Sequence, residues 1–303
     1  MLGAGLPAGP VRPAQGASIQ QLTTVLGVAG IYALLATGIV LVYRTSRVVN
    51  LAQGHLAILC AFFVAALLAA GYHWAAALPA TIAVGCVLAA VIYFAVMRRI
   101  VGEPPFVGLM ATVGIAILLR GVMVVAFGGV TITTQPLLSG SVSLFGADLS
   151  ATHVLVAVAA WLLVGVIVAI NHFTSIGLFM RATTDNVILA AQRGVNIDRI
   201  VCLAWVIAVC AAAAGGFLHS QRALVSTAAI LIGVSALIAA LIGGMDSFRG
   251  AVIGALAVAV SEYFVLLHFE ARYADLAPVA LMLVILTIRP WGLFGTPEEV
   301  ERV

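Results

Sequence analysis

Nine stretches of this chain, at 19–43, 48–70, 74–97, 105–127, 151–171, 200–219, 226–243, 251–269 and 276–288, are long, apolar and almost free of charge. A helix needs roughly 20 apolar residues to cross the hydrocarbon of a bilayer, and in lipid every backbone N–H and C=O has to be satisfied inside a helix or a closed barrel. These stretches are apolar at successive positions and do not alternate with a period of two, so they read as α-helices and not as barrel strands. With 64% hydrophobic and 8% charged residues and a mean hydropathy of +1.22, the chain lacks the polar surface of a soluble domain. The expected fold class is an all-α polytopic membrane protein with about eight or nine transmembrane helices.

Residues 1–18 contain Pro7, Pro10, Pro13 and several glycines, with no cationic stretch leading into an apolar core. They read as a disordered tail and not as a signal peptide, which leaves the first span to act as its own insertion signal. Residues 19–290 form the membrane domain, and 291–303 a cytoplasmic C-terminal tail. Short cytoplasmic loops collect positive charge. Alternate loops hold Arg44 and Arg47, Arg98 and Arg99, Arg181, Arg193 and Arg199, Arg249, and Arg289 and Arg302, whereas the opposite loops keep Arg12, Arg222 and Arg272. That bias puts the N-terminus outside and the C-terminus in the cytoplasm. The stretch 48–70 is its weak point, because it opens with Asn50, Gln53, Gly54 and His55 and reads either as a continuous helix or as a broken, re-entrant one.

Several function classes drop out. The four cysteines, Cys60, Cys86, Cys202 and Cys210, lie in apolar spans without CxxC spacing, so they read as buried thiols and not as a disulfide framework or metal knuckle. The six histidines have no metal-binding spacing. The sequence contains no lysine, hence no Walker A motif, and no cofactor is expected on this chain. The formal charge of +3 comes from arginines that flank spans, which points to lipid and not to nucleic acid. Neither GxSxG nor HExxH occurs, so the chain does not read as an enzyme.

The segment 181–194, RATTDNVILAAQRG, is the one polar, helix-capable loop of any size. Asp185 is placed to cap a helix start, where free N–H groups favour an anion. Val187, Ile188, Ala191 and Val195 recur about once per turn, Asn186, Gln192 and Arg193 stay polar, and Gly194 stands where a left-handed stop is easiest. A short amphipathic helix outside the bilayer follows, docked in a groove of a partner or resting on lipid headgroups. Two ionisable residues lie deep in spans, Arg120 and Glu262. A charge at that depth costs roughly 2.5 to 3.5 kcal/mol on insertion scales. Either both point into the bundle and pair, or Glu262 meets the backbone of a broken helix, or one of them faces a solute pathway, an arginine being a natural carboxylate clamp. Asn50, Gln53, Gly54 and His55 are the other candidate lining. Gly250 and Gly254 form a GxxxG step suited to close helix packing within the chain or against a second subunit. The loop 128–150, rich in Thr, Ser and Gly, is the longest on the outer side.

The run YALLATGIVLVYRTSRVVNLAQGHLAILCAFF from Tyr32, the loop MRATTDNVILAAQRGVNIDRI from Met180, the stretch ALIGGMDSFRGAVIGALAVAVSE from Ala240 and the tail LTIRPWGLFG from Leu286 resemble, in the same order, the permease subunits of branched-chain amino-acid ABC transporters of the LivH type. Where that family reads asparagine, an aromatic and Ala-His-Gly-Glu, this chain departs with Asn50, Leu51, Ala52, Gln53, Gly54 and His55 and lacks the acid. The resemblance implies an importer subunit that forms the pathway for a small solute, branched-chain or other amino acids first. It further implies a second permease (a LivM-like paralogue or a second copy), two cytoplasmic subunits that bind the ATP, an extracytoplasmic solute-binding protein and location in the inner membrane. In the coupling loop, 172–199, it makes Arg181, Asp185, Ala190, Ala191, Arg193 and Gly194 the residues that meet the ATPase. The alternative is an ion-coupled secondary transporter of a small carboxylate or amide. That would call for several buried carboxylates and repeated broken helices, whereas Glu262 is the one deep acid and no internal repeat is legible.

Overall fold

In the computed structural model, which describes residues 13–296 apart from 101, 135, 139, 145 and 146, the apolar stretches are helical. α1 (Pro13–Ser46) is followed by α2 (Gln53–Ala69) and by α3 (Trp74–Ile92), which continues through a π turn (Tyr93–Met97) into the single turn α4 (Arg98–Ile100). Then come α5 (Pro105–Phe127), the hairpin β1 (Ser141–Leu144) and β2 (Ala147–Ser150), and α6 (Ala151–Phe173). An arm of two short helices, α7 (Ser175–Asp185) and α8 (Val187–Gln192), leads to α9 (Ile197–Ser220), α10 (Leu231–Gly243), α11 (Phe248–His268) and α12 (Leu276–Ile288). Among the described residues seven helices are long and apolar enough to cross a membrane, and the stretches expected at 48–70 and 226–243 appear as the shorter apolar helices Gln53–Ala69 and Thr227–Gly243. α1 starts at Pro13, inside the tail expected to be disordered. Residues 1–12 and 297–303, with Arg12 and Arg302, lie outside the described residues.

α1 is the hub. It packs on α6, α9, α10 and α11, and Ala33, Leu34, Leu35 and Ala36 at its middle have no exposed surface. α1 and α9 run in opposite directions: Gly215 faces Leu35, and further along α1 Gly38 faces Ala208. Around this pair the remaining helices repeat. α2 packs on α9 as α10 packs on α1, α3 lies on α9 as α11 lies on α1, and α5 flanks α2 as α12 flanks α10. The chain is therefore two inverted units, α1–α2–α3–α5 and α9–α10–α11–α12, an internal repeat that the sequence did not reveal.

The two units meet where their short helices begin. A Cβ on Gly54 of α2 would stand 2.6 Å from Gly233 Cα, and one on Gly233 of α10 would stand 2.3 Å from Gly54 Cα. Only glycine on both sides allows that approach. The GxxxG step is likewise filled within the chain, since a Cβ on Gly250 would meet the Gly243 carbonyl oxygen at 2.1 Å and one on Gly254 the Ala239 oxygen at 2.0 Å. These glycines join α10 to α11 and are not left for a second subunit. Cys86 and Cys210, far apart in sequence, bring their Sγ atoms to 3.3 Å between α3 and α9 as free thiols.

Gly54→Ala is expected to lower folding stability by about 1–3 kcal/mol, because the crossing backbones have no room to relax around an added methyl. Gly165→Ala, on a stretch of α6 with nothing within 4 Å, serves as the control and should leave thermal unfolding in detergent unchanged.

Candidate coupling arm and membrane pathway

The arm expected over 181–194 is two helices with a corner between them. α7 begins after Thr174, whose Oγ1 accepts from Gly177 N–H (3.2 Å), and runs to Asp185. The cap of α8 is Asn186, one residue after the expected Asp185: its Oδ1 accepts from Leu189 N–H (2.9 Å). The extended backbone of Asn186 (φ −158°, ψ 105°) breaks the helix there, and its short amide satisfies a donor that the break exposes. Gly194 (φ +86°) ends the arm as expected, with Val195 N–H closing on Ala190 O at 3.1 Å.

The arm is held rigidly at its base. The Arg181 guanidinium donates to the carbonyl of buried Asn171 at the end of α6, and Thr184 Oγ1 donates to Arg44 O (2.9 Å) at the end of α1. Its outer face is different. Val187, Ile188 and Leu189 are 50%, 71% and 56% exposed, while Ala190 turns inward; Asp185, Ala191, Arg193 and Gly194 are exposed. Leu189 therefore joins Val187 and Ile188 on the exposed apolar face, a position that the spacing of Val187, Ile188, Ala191 and Val195 leaves out. Neither Thr184 nor Asn171 was legible as a holder of the arm, since a threonine and an asparagine beside a span give no signal of their own. Asn186 did carry one, as a good cap residue directly before three apolar residues.

The polar cluster before α2 is a bent lead-in to a helix that starts inside the bundle. α1 ends at Ser46, Arg47 has φ +56°, and helix resumes at Gln53, so Asn50 lies in the lead-in while Gln53, Gly54 and His55 open a helix that is continuous to Ala69. Asn50 Nδ2 donates to Gln53 Oε1 (3.0 Å), Ala52 N–H donates to Asn50 Oδ1 (3.1 Å), and Gln53 Nε2 donates to Ala208 O (2.8 Å), half-way along α9. Thr112 Oγ1 of α5 donates to Val49 O (3.0 Å). Of these, the bonds to Ala52 N–H and Val49 O satisfy lead-in backbone that no helix pairs, and the Gln53 amide ties that lead-in to α9. Asn50 and Gln53 are 1% exposed and Gly54 is buried at the crossing, so three of the four expected lining residues are occupied within the chain. His55 differs: it is partly exposed, and its Nδ1 has no hydrogen-bond partner among the described residues.

The two deep charges do not pair. Glu262 of α11 accepts from Tyr32 Oη of α1 (2.8 Å) and from Ser235 Oγ of α10 (2.9 Å), which ties three helices at one carboxylate. Arg120 lies on the exposed face of α5 beside Ile117, Leu118 and Gly121. Hydropathy gives depth but not direction around the helix axis, so neither Tyr32 nor Ser235 was identifiable as a partner from the sequence. Among the described residues no three His, Cys, Asp or Glu side chains stand close enough to hold a metal ion.

An inverted-repeat helical bundle with two short helices crossing at its centre and a tied arm at one end has the architecture of a membrane permease. The comparisons agree. A family profile described as branched-chain amino acid transport system / permease component matches residues 21–286. The permease protein LivH of the high-affinity branched-chain amino acid transport system of Salmonella typhimurium is 26% identical over 94% of this chain and 97% of its own length. BraD of the corresponding system of Pseudomonas aeruginosa is 28% identical over 94% and 98%. LsrC, the autoinducer 2 import system permease protein of Escherichia coli, is 31% identical over 89% and 79%. Among solved structures, PsaBC from Streptococcus pneumoniae in complex with Fab has the same fold, with a TM-score of 0.51 at 14% identity over 91% of this chain and 95% of that one. The chain belongs to the branched-chain amino acid permease family, the membrane component of ABC importers.

Tyr32→Phe is expected to cost about 1–3 kcal/mol by leaving one carboxylate oxygen of Glu262 without its donor, and Glu262→Gln less, because the amide oxygen still accepts. The double exchange Arg120→Glu with Glu262→Arg should rescue neither single variant, which thermal unfolding of the four proteins reads directly.

Proposed function

We propose that this permease subunit moves a small carboxylate-bearing solute inward, branched-chain amino acids first, and that its α7–α8 arm receives the ATPase. The observation that carries this reading is the exposed trio Val187, Ile188 and Leu189 on α8, which directly follows α7, the helix that hydrogen bonds tie to α1 and α6. Three adjoining apolar side chains on a short helix suit a groove on a protein partner. The arm also lies at the arginine-rich end of the bundle, with Arg44, Arg47, Arg98, Arg99, Arg249 and Arg289, while Arg222 and Arg272 mark the other end. Positive charge marks the cytoplasmic side, so the arm faces the cytoplasm and the β hairpin the outside, where a solute-binding protein would dock.

The exposed position of Arg120 supports the second half of the reading. An arginine well inside a 23-residue apolar helix is too costly to face lipid, so the α5 face that carries it looks onto a second permease and the pathway between the two. There the Arg120 guanidinium is suited to hold a solute carboxylate. Cargo differs among the named relatives, and this cation is the feature that favours a carboxylate over a neutral solute here. ATP belongs to the partner subunits, and no cofactor is assigned to this chain.

Ile188→Glu places a charge on a side chain that is 71% exposed, so it should leave thermal stability unchanged. Co-purification of the ATPase and ATP-driven uptake in proteoliposomes should fall by at least about tenfold, a loss of roughly 1.4 kcal/mol in docking. Wild-type levels of both would remove the arm from the mechanism. Arg120→Gln should raise the KM for a carboxylate cargo about tenfold with the complex intact.

A further inference from the structure

At the end of the bundle away from the arm, Ile132, Leu137 and Leu138 are tied as a strap to the helix ends. Ile132 and Val225 exchange two backbone hydrogen bonds (2.9 and 3.0 Å), Leu137 N–H donates to Gln221 Oε1 (3.1 Å), and Thr152 Oγ1 donates to Leu138 O (2.8 Å). Two adjoining cavities lie beneath this strap and share Leu138 as a wall. One, of about 480 Å³, is polar, with Thr133, Thr134, Thr152, His153, Gln221 and Arg222 among its lining. The other, of about 300 Å³, is apolar, with Trp74, Leu78, Leu155, Val156 and Phe217. Both volumes suit a small ligand.

Arg222 is held in place at the polar cavity. Its guanidinium lies on Gly27 of α1, where a Cβ would sit 3.6 Å from Cζ, and its Nη2 donates to Thr24 O (3.3 Å). Burial draws its pKa below the usual arginine value, yet arginine stays charged in proteins. No carboxylate lines either cavity. Arg222 Nε, His153 Nδ1 and His219 Nε2 are all buried without a hydrogen-bond partner among the described residues. Buried polar groups are normally paired, and a buried cation without a counter-charge is costly. At the polar cavity the fixed guanidinium of Arg222 thus stands with the unpaired Nδ1 of His153, beside a wall of hydroxyls and an amide, a donor set suited to an anion, with His219 behind them. The neighbouring apolar cavity fits an uncharged tail.

We infer that the paired cavities form an intake site for an amphipathic carboxylate, with the acid on Arg222 and His153 and the tail between Trp74, Leu155 and Phe217. This rests on the carboxylate cargo and on the reading of the hairpin end as the side from which solute arrives, and it adds the first point of contact on this chain. The chain needs no ATPase to bind there, so loss of this inference leaves the docking of the arm untouched.

Trp74 provides the probe. The full chain in lipid nanodiscs is titrated with 6-bromohexanoate and with 6-bromohexanol, bromine being a contact quencher of indole fluorescence, and Trp74→Phe supplies the background of the other tryptophans. The acid should quench Trp74 saturably at a concentration at least about tenfold below the alcohol, a difference of roughly 1.4 kcal/mol. That preference should vanish in Arg222→Gln and survive in Arg222→Lys. Equal half-saturation by acid and alcohol in the wild type, or an unchanged preference in Arg222→Gln, overturns the site. If Arg222→Gln fails to fold, His153→Phe takes its place, where the preference must narrow; a preference kept at the wild-type value counts against the site.

Discussion

Backbone freed at bilayer depth must find partners inside the protein, and the architecture of this chain follows from how it meets that demand. α2 begins within the bundle after a non-helical lead-in that exposes N–H and C=O groups, whereas α10 continues from the 3-10 turn Thr227–Ile230. In that lead-in Asn50 and Thr112 pair with backbone groups, and Gln53 holds the Asn50 amide and reaches the Ala208 carbonyl of the opposite unit. At the centre, Gly54 and Gly233 bring the two starts into backbone contact. A larger residue at either position would separate the units and expose what Gln53 now covers.

That central crossing is also what makes the arm mechanically relevant. Thr184 ties the arm to the end of α1, and α1 is the helix on which α6, α9, α10 and α11 pack. Further along α1, Tyr32 holds Glu262, and Glu262 holds Ser235 of α10, two residues beyond the glycine crossing. A displacement of the arm base thus acts on the helix that carries both the carboxylate junction and the start of the second short helix. The contacts are continuous from arm to centre; an alternating-access cycle requires in addition that this set of contacts has two stable arrangements.

Much of this was legible in the sequence, because lipid imposes simple rules. The nine apolar stretches, the polar arm with its Gly194 stop, and the polar opening of 48–70 follow from depth and from helix-end chemistry. What sequence could not show was direction around each helix. Both faces of a buried membrane helix are apolar, so nothing marked Arg120 as outward-facing or Glu262 as the partner of Tyr32. The inverted repeat was hidden for a related reason: close packing in lipid asks for small residues in matching places, not for matching sequences. Gln53 and Asn50 read as pathway lining because polarity inside a span suggests solute contact, whereas here it completes a broken backbone. At the arm, Asp185 and Asn186 both suit a helix cap, and the choice of Asn186 depends on the corner between α7 and α8.

The central claim is that this bundle has no power source of its own and is driven through the arm. Solute uptake into proteoliposomes tests it directly, comparing the chain alone under imposed proton and sodium gradients with the chain assembled with its second permease, ATPase and binding protein. The account predicts no accumulation by the chain alone under any gradient, and accumulation by the assembly only when ATP is present on the arm side. Gradient-driven accumulation by the chain alone would contradict it.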